Sequence, residues 1–428
     1  MTRLHARIRE DQETPGLLQK LGQVIRERRE QAGLSRAALA LRAGLSESTL
    51  KNLEAGRHQP TRTTLMQLCS IHELKLNMSD LLPLSAAESE AGPPLNCWLA
   101  PGFDPIAMAQ DLTTRLSGRG GHIEQTFLYL DTKSAACWCA IVNHVEHLHG
   151  LRESLPLRDV ASKIHECVGS AGLDLIGLGC GDGREEVRLA QFLLQQAEPH
   201  DLRLYLLDIS QPLLGFAYKH AADTLADRRG VAVFAIQGDF HRLPCYTQLL
   251  YTPQRAHRRR IVCMFGGTFG NLENEIRFLR NSLVGFAPGD LLLLHVSLVH
   301  APADRPHEIM QRDPRLSGRI PPDLAQRERE WLIGPIERYA RPAGAPLCEQ
   351  VIHCALDTTS CTLPGSYAVE TIITVKSADG EVRRFSMEYI KRYDPHELSN
   401  ALRQLGWEPI AAWTAGTPYL LGLFRWQG

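Results

Sequence analysis

Between Leu17 and Leu82 the apolar residues recur every three or four positions, the spacing that lays one stripe along an α-helix, and each run is short. Leu17, Leu21, Val24 and Ile25 form the first stripe, which Gly33 ends; Ser35 caps a second helix carrying Ala38, Leu39 and Leu41, and Gly44 supplies the next turn. From the cap Ser46 a third helix turns Leu50 and Leu53 inward and leaves Glu47, Ser48, Thr49, Lys51 and Asn52 on an exposed face. Pro60 and Thr61 open a fourth helix, and LNMSDLL closes the unit. Further along, the pattern changes. Apolar runs at Leu173 to Gly179, Arg203 to Asp208, Val231 to Ile236, Arg260 to Phe265 and Asp290 to Val296 alternate with helix-like stretches such as EEVRLAQFLLQQA. That alternation predicts a mostly parallel, doubly wound sheet whose ligand lies outside the carboxyl ends of the strands.

The expected fold class is therefore multidomain. A flexible start at 1–16 precedes an all-α domain at 17–84; SAAESEAGPPL marks a linker at 85–97; and a Rossmann-like α/β domain fills 98–428, with an elaboration at about 300–395. Charge sharpens this division. The 428 residues carry a formal charge of -1, which argues against nucleic acid as a partner only if the charge is spread evenly. The first 85 residues hold thirteen Lys or Arg against nine Asp or Glu, a net of +4, and the remainder is -5. Eleven cysteines, without a CxxC spacing, read as thiols in a reducing compartment. The N-terminus lacks the apolar core of a signal peptide, and the longest apolar run, Leu291 to Val299, is far short of the ~20 residues that span a bilayer. No membrane partner and a cytoplasmic location are expected.

Short helices with two joined at a tight glycine turn make a helix-turn-helix. The segment LGQVIRERREQAGLSRAALALRAGLSESTLKNLEAGRHQPTRTTLMQLC resembles the Cro/phage-repressor (XRE) family of DNA-binding domains along its whole length. The resemblance implies double-stranded operator DNA as partner, with the helix from Ser46 in the major groove. Arg36, Ser46, Ser48, Thr49, Lys51 and Asn52 are the implied base or phosphate contacts, and a homodimer matching a two-fold operator is expected. A helical scaffold used for protein contacts is the blander alternative.

In the second domain, the loop Gly177-Leu-Gly-Cys-Gly-Asp-Gly183 lacks the GK[ST] of a P-loop and the full GxGxxG of a nicotinamide fingerprint. Asp208 ends the next strand, where a carboxylate accepts ribose hydroxyls, and Gly238-Asp-Phe240 ends the third with an acid for an exocyclic amine beside a ring that stacks on adenine. Each feature alone has a bland reading as cap or turn; together, at successive strand ends, they read as a class I methyltransferase pocket for S-adenosylmethionine.

The fourth strand ends in Phe265-Gly-Gly-Thr-Phe-Gly-Asn-Leu272. GGTFGNLENEIRFLRNSLVGFAPGDLLLL, with LYLLDISQPLL and GDF before it and MEYIKRYDPHELSNALRQLGWEPIAAWT after it, resembles the histidine-specific methyltransferase family over about Ile123 to Phe424. The resemblance implies that Gly179, Gly181, Asp208, Asp239 and Phe240 hold the cofactor. It also implies that Asn271 binds the amino-acid backbone of a small-molecule substrate and that Glu388 contacts the substrate imidazole. The departures fall on the substrate side. Ile390 replaces a Ser that serves the imidazole; Leu148 and His149 replace paired tyrosines ahead of Leu151-Arg-Glu153; APADRPHEIMQRD has no counterpart of an Ala-Tyr-Asp-Asp segment; and Glu185 replaces a basic residue.

Methyl transfer from a sulfonium is an in-line displacement that asks for an aligned, neutral nucleophile. Asn271 and Glu388 are the catalytic candidates, followed by His149, Tyr389 and Tyr393, each of which also has a packing explanation. DNA-base methylation is disfavoured because Gly266-Gly-Thr-Phe269 stands where amino-DNA methylases carry [DNS]PP[YFW], and Leu-Pro-Cys245 follows the wrong strand. The run Arg255-Ala-His-Arg-Arg-Arg260 has both a phosphate-contact and a solvated-loop reading. Two functions stand: a regulator-type protein methylating nitrogen of an amino acid or a related small molecule, and a regulator whose inactive methyltransferase fold senses S-adenosylmethionine or a metabolite.

Overall fold

The computed structural model describes residues 19–428 apart from 20, 58–63, 65–66, 69–70, 75, 77–94, 101–102, 119, 145–149, 154, 197–200, 227, 229, 247–257, 340–346, 360, 378–379 and 415–417. The N-terminal stretch, most of the fourth helix, the linker up to residue 94, and Leu148 and His149 lie outside the described residues. The chain forms two compact units, residues 1–90 with 247–254, and residues 91–246 with 255–428.

In the first unit α1 (21–31), α2 (Arg36–Arg42) and α3 (Glu47–Glu54) bury Ile25, Leu39 and Leu50 completely, with Leu68. The caps fall where their chemistry predicts: the Ser35 hydroxyl accepts from the Ala38 N–H at 3.1 Å and Ser46 from Thr49 N–H at 3.0 Å. Leu41 is instead 83% exposed, since two residues past Leu39 a side chain is turned roughly 200° round the helix. Two opposite charges, Arg29 and Glu54, are buried among these helices. Glu54 of α3 accepts from Arg29 Nε at 2.5 Å and from Arg36 Nε at 2.6 Å, joining all three helices.

The second unit is built on an eight-stranded sheet of order β1-β5-β4-β3-β6-β7-β12-β11. Its strands are β1 (Leu95–Leu99), β3 (Gly172–Leu178), β4 (Leu202–Asp208), β5 (Val231–Gln237), β6 (Arg258–Met264), β7 (Leu291–Ser297), β11 (Trp407–Trp413) and β12 (Tyr419–Trp426). All neighbours through β7 are parallel; β12 runs antiparallel to both β7 and β11. Leu173, Leu175, Ile176, Leu202, Leu204, Leu206, Ile261, Val262, Leu291 and Leu293 are fully buried, which is why these strands read as continuous apolar runs. Residues 95–97, expected to end the linker, instead open β1, because that run finds backbone partners along the outer edge of β5.

A second sheet, of order β2-β10-β9-β8, joins three strands inserted between β7 and β11 to β2 (Gly120–His122) from ahead of β3, which pairs parallel with β10 (Val382–Arg392). The strands β8 (Leu347–Asp357), β9 (Tyr367–Ser377) and β10 are antiparallel. The helix Pro322–Tyr339 covers this sheet, burying Leu324, Trp331, Leu332, Ile333 and Ile336 with Ile373, Val375, Phe385 and Met387. A bulge between Ser386 and Glu388 resets the alternation of β10. Glu388 then stands opposite Thr371, on the same side as Phe385 opposite Ile373, facing that helix.

Candidate cofactor and acceptor site

The loop after β3 is held open by glycine. Gly179 and Gly181 have φ of +63° and +56°, and side chains there would collide with the site's other walls. A Cβ on Gly179 would lie 2.8 Å from Thr268 Cγ2 and 3.3 Å from Phe240 Cε1; one on Gly181 would lie 2.5 Å from the Trp138 ring. Bare backbone therefore meets residues from the ends of β5 and β6 and from the helix Thr132–Val142.

Asp208 is buried at the end of β4. Its Oδ2 accepts from the Gly181 N–H and its Oδ1 from the Ser210 N–H, both at 2.8 Å. A carboxylate has about four lone-pair directions, so acceptor capacity remains for ribose hydroxyls. Burial, opposed by these backbone N–H groups, pushes its carboxyl up to about 6. At the end of β5, Asp239 Oδ1 accepts from the His241 N–H at 2.9 Å and meets His241 Nδ1 at 2.8 Å. Burial alone would raise the Asp239 carboxyl; the His241 contact more than reverses this and leaves it below the usual range. Phe240 stacks on His241 with centroids 4.7 Å apart and meets Phe278 edge-on. Loop, acid and ring thus stand at three successive strand ends and offer close backbone, remaining carboxylate acceptor capacity and an aromatic ring, the groups expected from the sequence to meet S-adenosylmethionine.

The loop is also strapped from outside. Arg152, on the short helix Gly150–Glu153, pairs with Asp182 and Glu185, and Arg188 donates to the Arg152 carbonyl at 2.9 Å. The acid at 185, an isolated departure in the sequence, has acquired a cation from another element.

Tyr129 meets the Trp138 ring edge-on at 6.3 Å and the Trp331 ring at 5.5 Å. Its hydroxyl is raised well above 10 by burial and by the nearby charges of Glu388 and Asp208, with Arg315 and Trp138 acting the other way. Glu388 is not the free carboxylate that an imidazole contact requires: its Oε2 accepts from Arg315 Nη1 at 2.5 Å and from Thr371 at 3.3 Å, and Gln125 Nε2 lies 3.4 Å from Oε1. Arg315 also donates to Glu328 at 3.0 Å. Asn271 ends the short helix Thr268–Asn271, half-buried, and its side-chain amide has no hydrogen-bond partner among the described residues.

Tyr393 and Tyr389 separate. Tyr393 is fully buried with its hydroxyl 2.7 Å from Glu275 Oε1, while Lys391 Nζ donates to the Leu272 and Glu273 carbonyls at 2.6 and 3.0 Å. Both brace the turn that carries Asn271. Tyr389 is half-buried and edges onto the His122 ring. The basic run is absorbed into the fold at its described end: Arg258 pairs with Asp174 and Asp201, and Arg260 donates to the Gly285 carbonyl at 2.6 Å. Tyr129, Gln125, Trp138 and Arg315 were missed by sequence reasoning, since TFLYL reads as packing and Arg315 lies in a segment without a motif.

On α3, Ser46, Ser48, Lys51 and Asn52 are exposed and Thr49 is half-buried. The Ser46 hydroxyl is occupied by its cap and lies 2.8 Å from Ser48 Oγ and 2.7 Å from Thr49 Oγ1. Arg36 keeps a side chain 39% exposed, yet its guanidinium is committed to Glu54.

A doubly wound sheet closed by an antiparallel strand, with a glycine loop, an acid at the second strand end and an Asp-Phe at the third, defines a class I S-adenosylmethionine-dependent methyltransferase domain. Comparison with known proteins makes this more particular. Residues 108–304 match the family model of the histidine-specific, S-adenosylmethionine-dependent methyltransferases, and residues 20–82 match that of a helix-turn-helix domain. The chain therefore carries both domains, and S-adenosylmethionine is the cofactor of the second. Among solved structures it is similar to an S-adenosylmethionine-dependent methyltransferase from Clostridium acetobutylicum (12% identity, 68% of this chain and 98% of that one, TM-score 0.35). It is also similar to magnesium protoporphyrin IX methyltransferase from Synechocystis (12% identity, 70% and 97%, TM-score 0.38). The restriction-modification controller protein C.AhdI from Aeromonas hydrophila matches at 31% identity over 15% of this chain and 96% of that one, with a TM-score of 0.14. No curated protein matches the chain. Among the described residues no helix is long and apolar enough to cross a membrane, and no cluster of His, Cys, Asp or Glu is arranged to hold a metal.

Proposed function

We propose that the chain is a cytoplasmic, DNA-binding regulator-type protein whose second domain transfers a methyl group to nitrogen of an amino acid or small amino-acid-derived molecule. The observation that carries this reading is a chain of contacts: the Trp138 ring lies 2.5 Å from a Cβ built on Gly181, meets Tyr129 at 6.3 Å, and the helix Gln125–Tyr129 reaches Glu388 through Gln125 Nε2 at 3.4 Å. S-adenosylmethionine, when bound, supplies an electrophilic methyl on a sulfonium. The chain's residues then position an amine: the Asn271 amide binds the amino-acid carboxylate or amine, and the Tyr129 oxygen accepts one amine N–H, directing the nitrogen lone pair. Glu388, spent on Arg315, orients the wall and is not a general base. Homodimeric α3 helices on a two-fold operator complete the reading, with Lys51 and Asn52 as the exposed contacts.

The test is acceptor-dependent release of S-adenosylhomocysteine by the full chain, with amino acids and their derivatives supplied as a panel and the methylated product read by mass spectrometry. Turnover with at least one amine, lost in Asn271→Ala, is expected. Tight S-adenosylmethionine binding with no turnover on any acceptor would overturn the enzymatic reading in favour of a sensor.

A further inference from the structure

The acceptor wall carries a second layer of chemistry. A buried carboxylate takes a cation or an N–H-bearing ring, and Glu388 is such a carboxylate, 4% exposed and 3.4 Å from Gln125 of the helix Gln125–Tyr129. Its partner is already supplied by the chain. Arg315 holds Glu388 through Nη1 and Glu328 through Nη2, Thr371 donates to the same Glu388 oxygen, and the Gln125 amide covers the other. A guanidinium is planar and donates in a fork, so it fills the space and takes the hydrogen bonds that a substrate imidazole would use. Gln125 Oε1, by contrast, is buried and has no hydrogen-bond partner. A buried carbonyl without a donor is costly, and a ligand that brings an N–H or O–H to it removes that cost.

We infer that Arg315 is a built-in plug of the side-chain subsite, so that the domain accepts α-amino acids whose side chain is small, uncharged and hydrogen-bond-donating, and rejects histidine. This rests on the proposed amine-methylating reading of the same site. Arg315 is a specificity-determining residue: it sets what fits without touching the methyl group. Ile390, two residues past Glu388, agrees with the inference because it offers an imidazole no hydrogen bond.

Calorimetry on the full chain loaded with S-adenosylhomocysteine tests this, with histidine, serine and asparagine as probes. The wild-type chain is expected to bind serine or asparagine at least tenfold more tightly than histidine. Arg315→Ala with Glu328→Gln, which removes the plug together with one of the two carboxylates it neutralises, is expected to gain at least tenfold in histidine affinity, and adding Glu388→Gln abolishes the gain. Wild-type histidine binding as tight as that of the double variant overturns the inference, and so does a double variant that holds S-adenosylhomocysteine but gains nothing for histidine. Arg315→Met, which keeps the stem and removes the donors, distinguishes a lost plug from a collapsed wall: it is expected to weaken histidine exclusion too. Failure of the wild-type chain to bind S-adenosylhomocysteine sinks the cofactor site instead, a separate result read in the same titration.

Discussion

The two units bury ion triads of opposite composition. In the helix-turn-helix unit one carboxylate, Glu54, lies between two guanidiniums, Arg29 and Arg36; in the methyltransferase unit one guanidinium, Arg315, lies between two carboxylates, Glu328 and Glu388. The first is flanked by a further carboxylate, the exposed Glu30 at 3.2 Å from Arg29, whereas the second leaves net negative charge at the acceptor wall. In both, a residue whose type suggested ligand contact is committed inward. Arg36, expected on DNA, and Glu388, expected on an imidazole, each complete an internal pair. Residue type and motif position report that a charge belongs near a site, not whether the chain or the ligand neutralises it.

The largest expected effect breaks the first triad. Glu54→Ala leaves Arg29, 8% exposed in its side chain, with only the exposed Glu30 carboxylate at 3.2 Å, which costs about 3 kcal/mol. Arg36→Ala removes a partner that is 39% exposed and costs about 1 kcal/mol or less. Amide hydrogen exchange over residues 21–57 separates them, because all the tryptophans lie elsewhere, at Trp98 and beyond. Equal loss of protection in the two variants would end the claim that Glu54 is the keystone and Arg36 a supplement.

The next effect concerns the exposed face of α3. Asn52→Ala is expected to cost about 1–3 kcal/mol of binding on a selected operator and to relax preference at one base, whereas Lys51→Ala weakens all sequences alike and lowers the salt slope by about one. Selection of an operator from a random duplex library, followed by mobility shifts at several salt concentrations, measures both. Indistinguishable losses on specific and random duplex would remove Asn52 from the base-reading set.

The parallel strands were legible because burial on both faces leaves an unbroken apolar run, and the glycine loop because a left-handed backbone excludes other residues. Helix caps at Ser35 and Ser46 were legible for the same local reason. What escaped is non-local. The four-stranded sheet pairs β2 with a strand far downstream, and half-buried strands such as β10, interrupted by a bulge, do not alternate cleanly. Arg315 lies in a turn whose local sequence carries no period, and only the fold brings it to Glu388. Tyr393 looked like a site residue because it neighbours Glu388 in sequence, but past the bulge its side chain, together with that of Lys391, serves the turn at Asn271.

Asp208 is a further buried carboxylate, and it sharpens the comparison because backbone N–H groups rather than a cation hold it. Burial pushes its carboxyl up to about 6, whereas in the unfolded chain an Asp titrates near ~3.9. Between roughly those values the folded apo-protein binds more protons than the unfolded one, so this group's contribution to stability falls as pH rises through the window and is flat above it. Ribose hydroxyls, however, donate to the ionised carboxylate. Cofactor affinity is therefore expected to be full above about pH 6 and to fall about tenfold for each pH unit below it, opposite in sign to the stability trend. Titration calorimetry with S-adenosylhomocysteine from pH 4.5 to 7.5 measures the first slope, with about one proton's dependence, and thermal unfolding of the apo-protein measures the second. Asp208→Asn should lower affinity at neutral pH by roughly ten- to a hundredfold and flatten both dependences, as the loss of a charged hydrogen-bond acceptor implies. Persistence of the affinity slope in Asp208→Asn would assign it to another acid, and Asp239, whose carboxyl lies below the usual range, titrates too low to account for it.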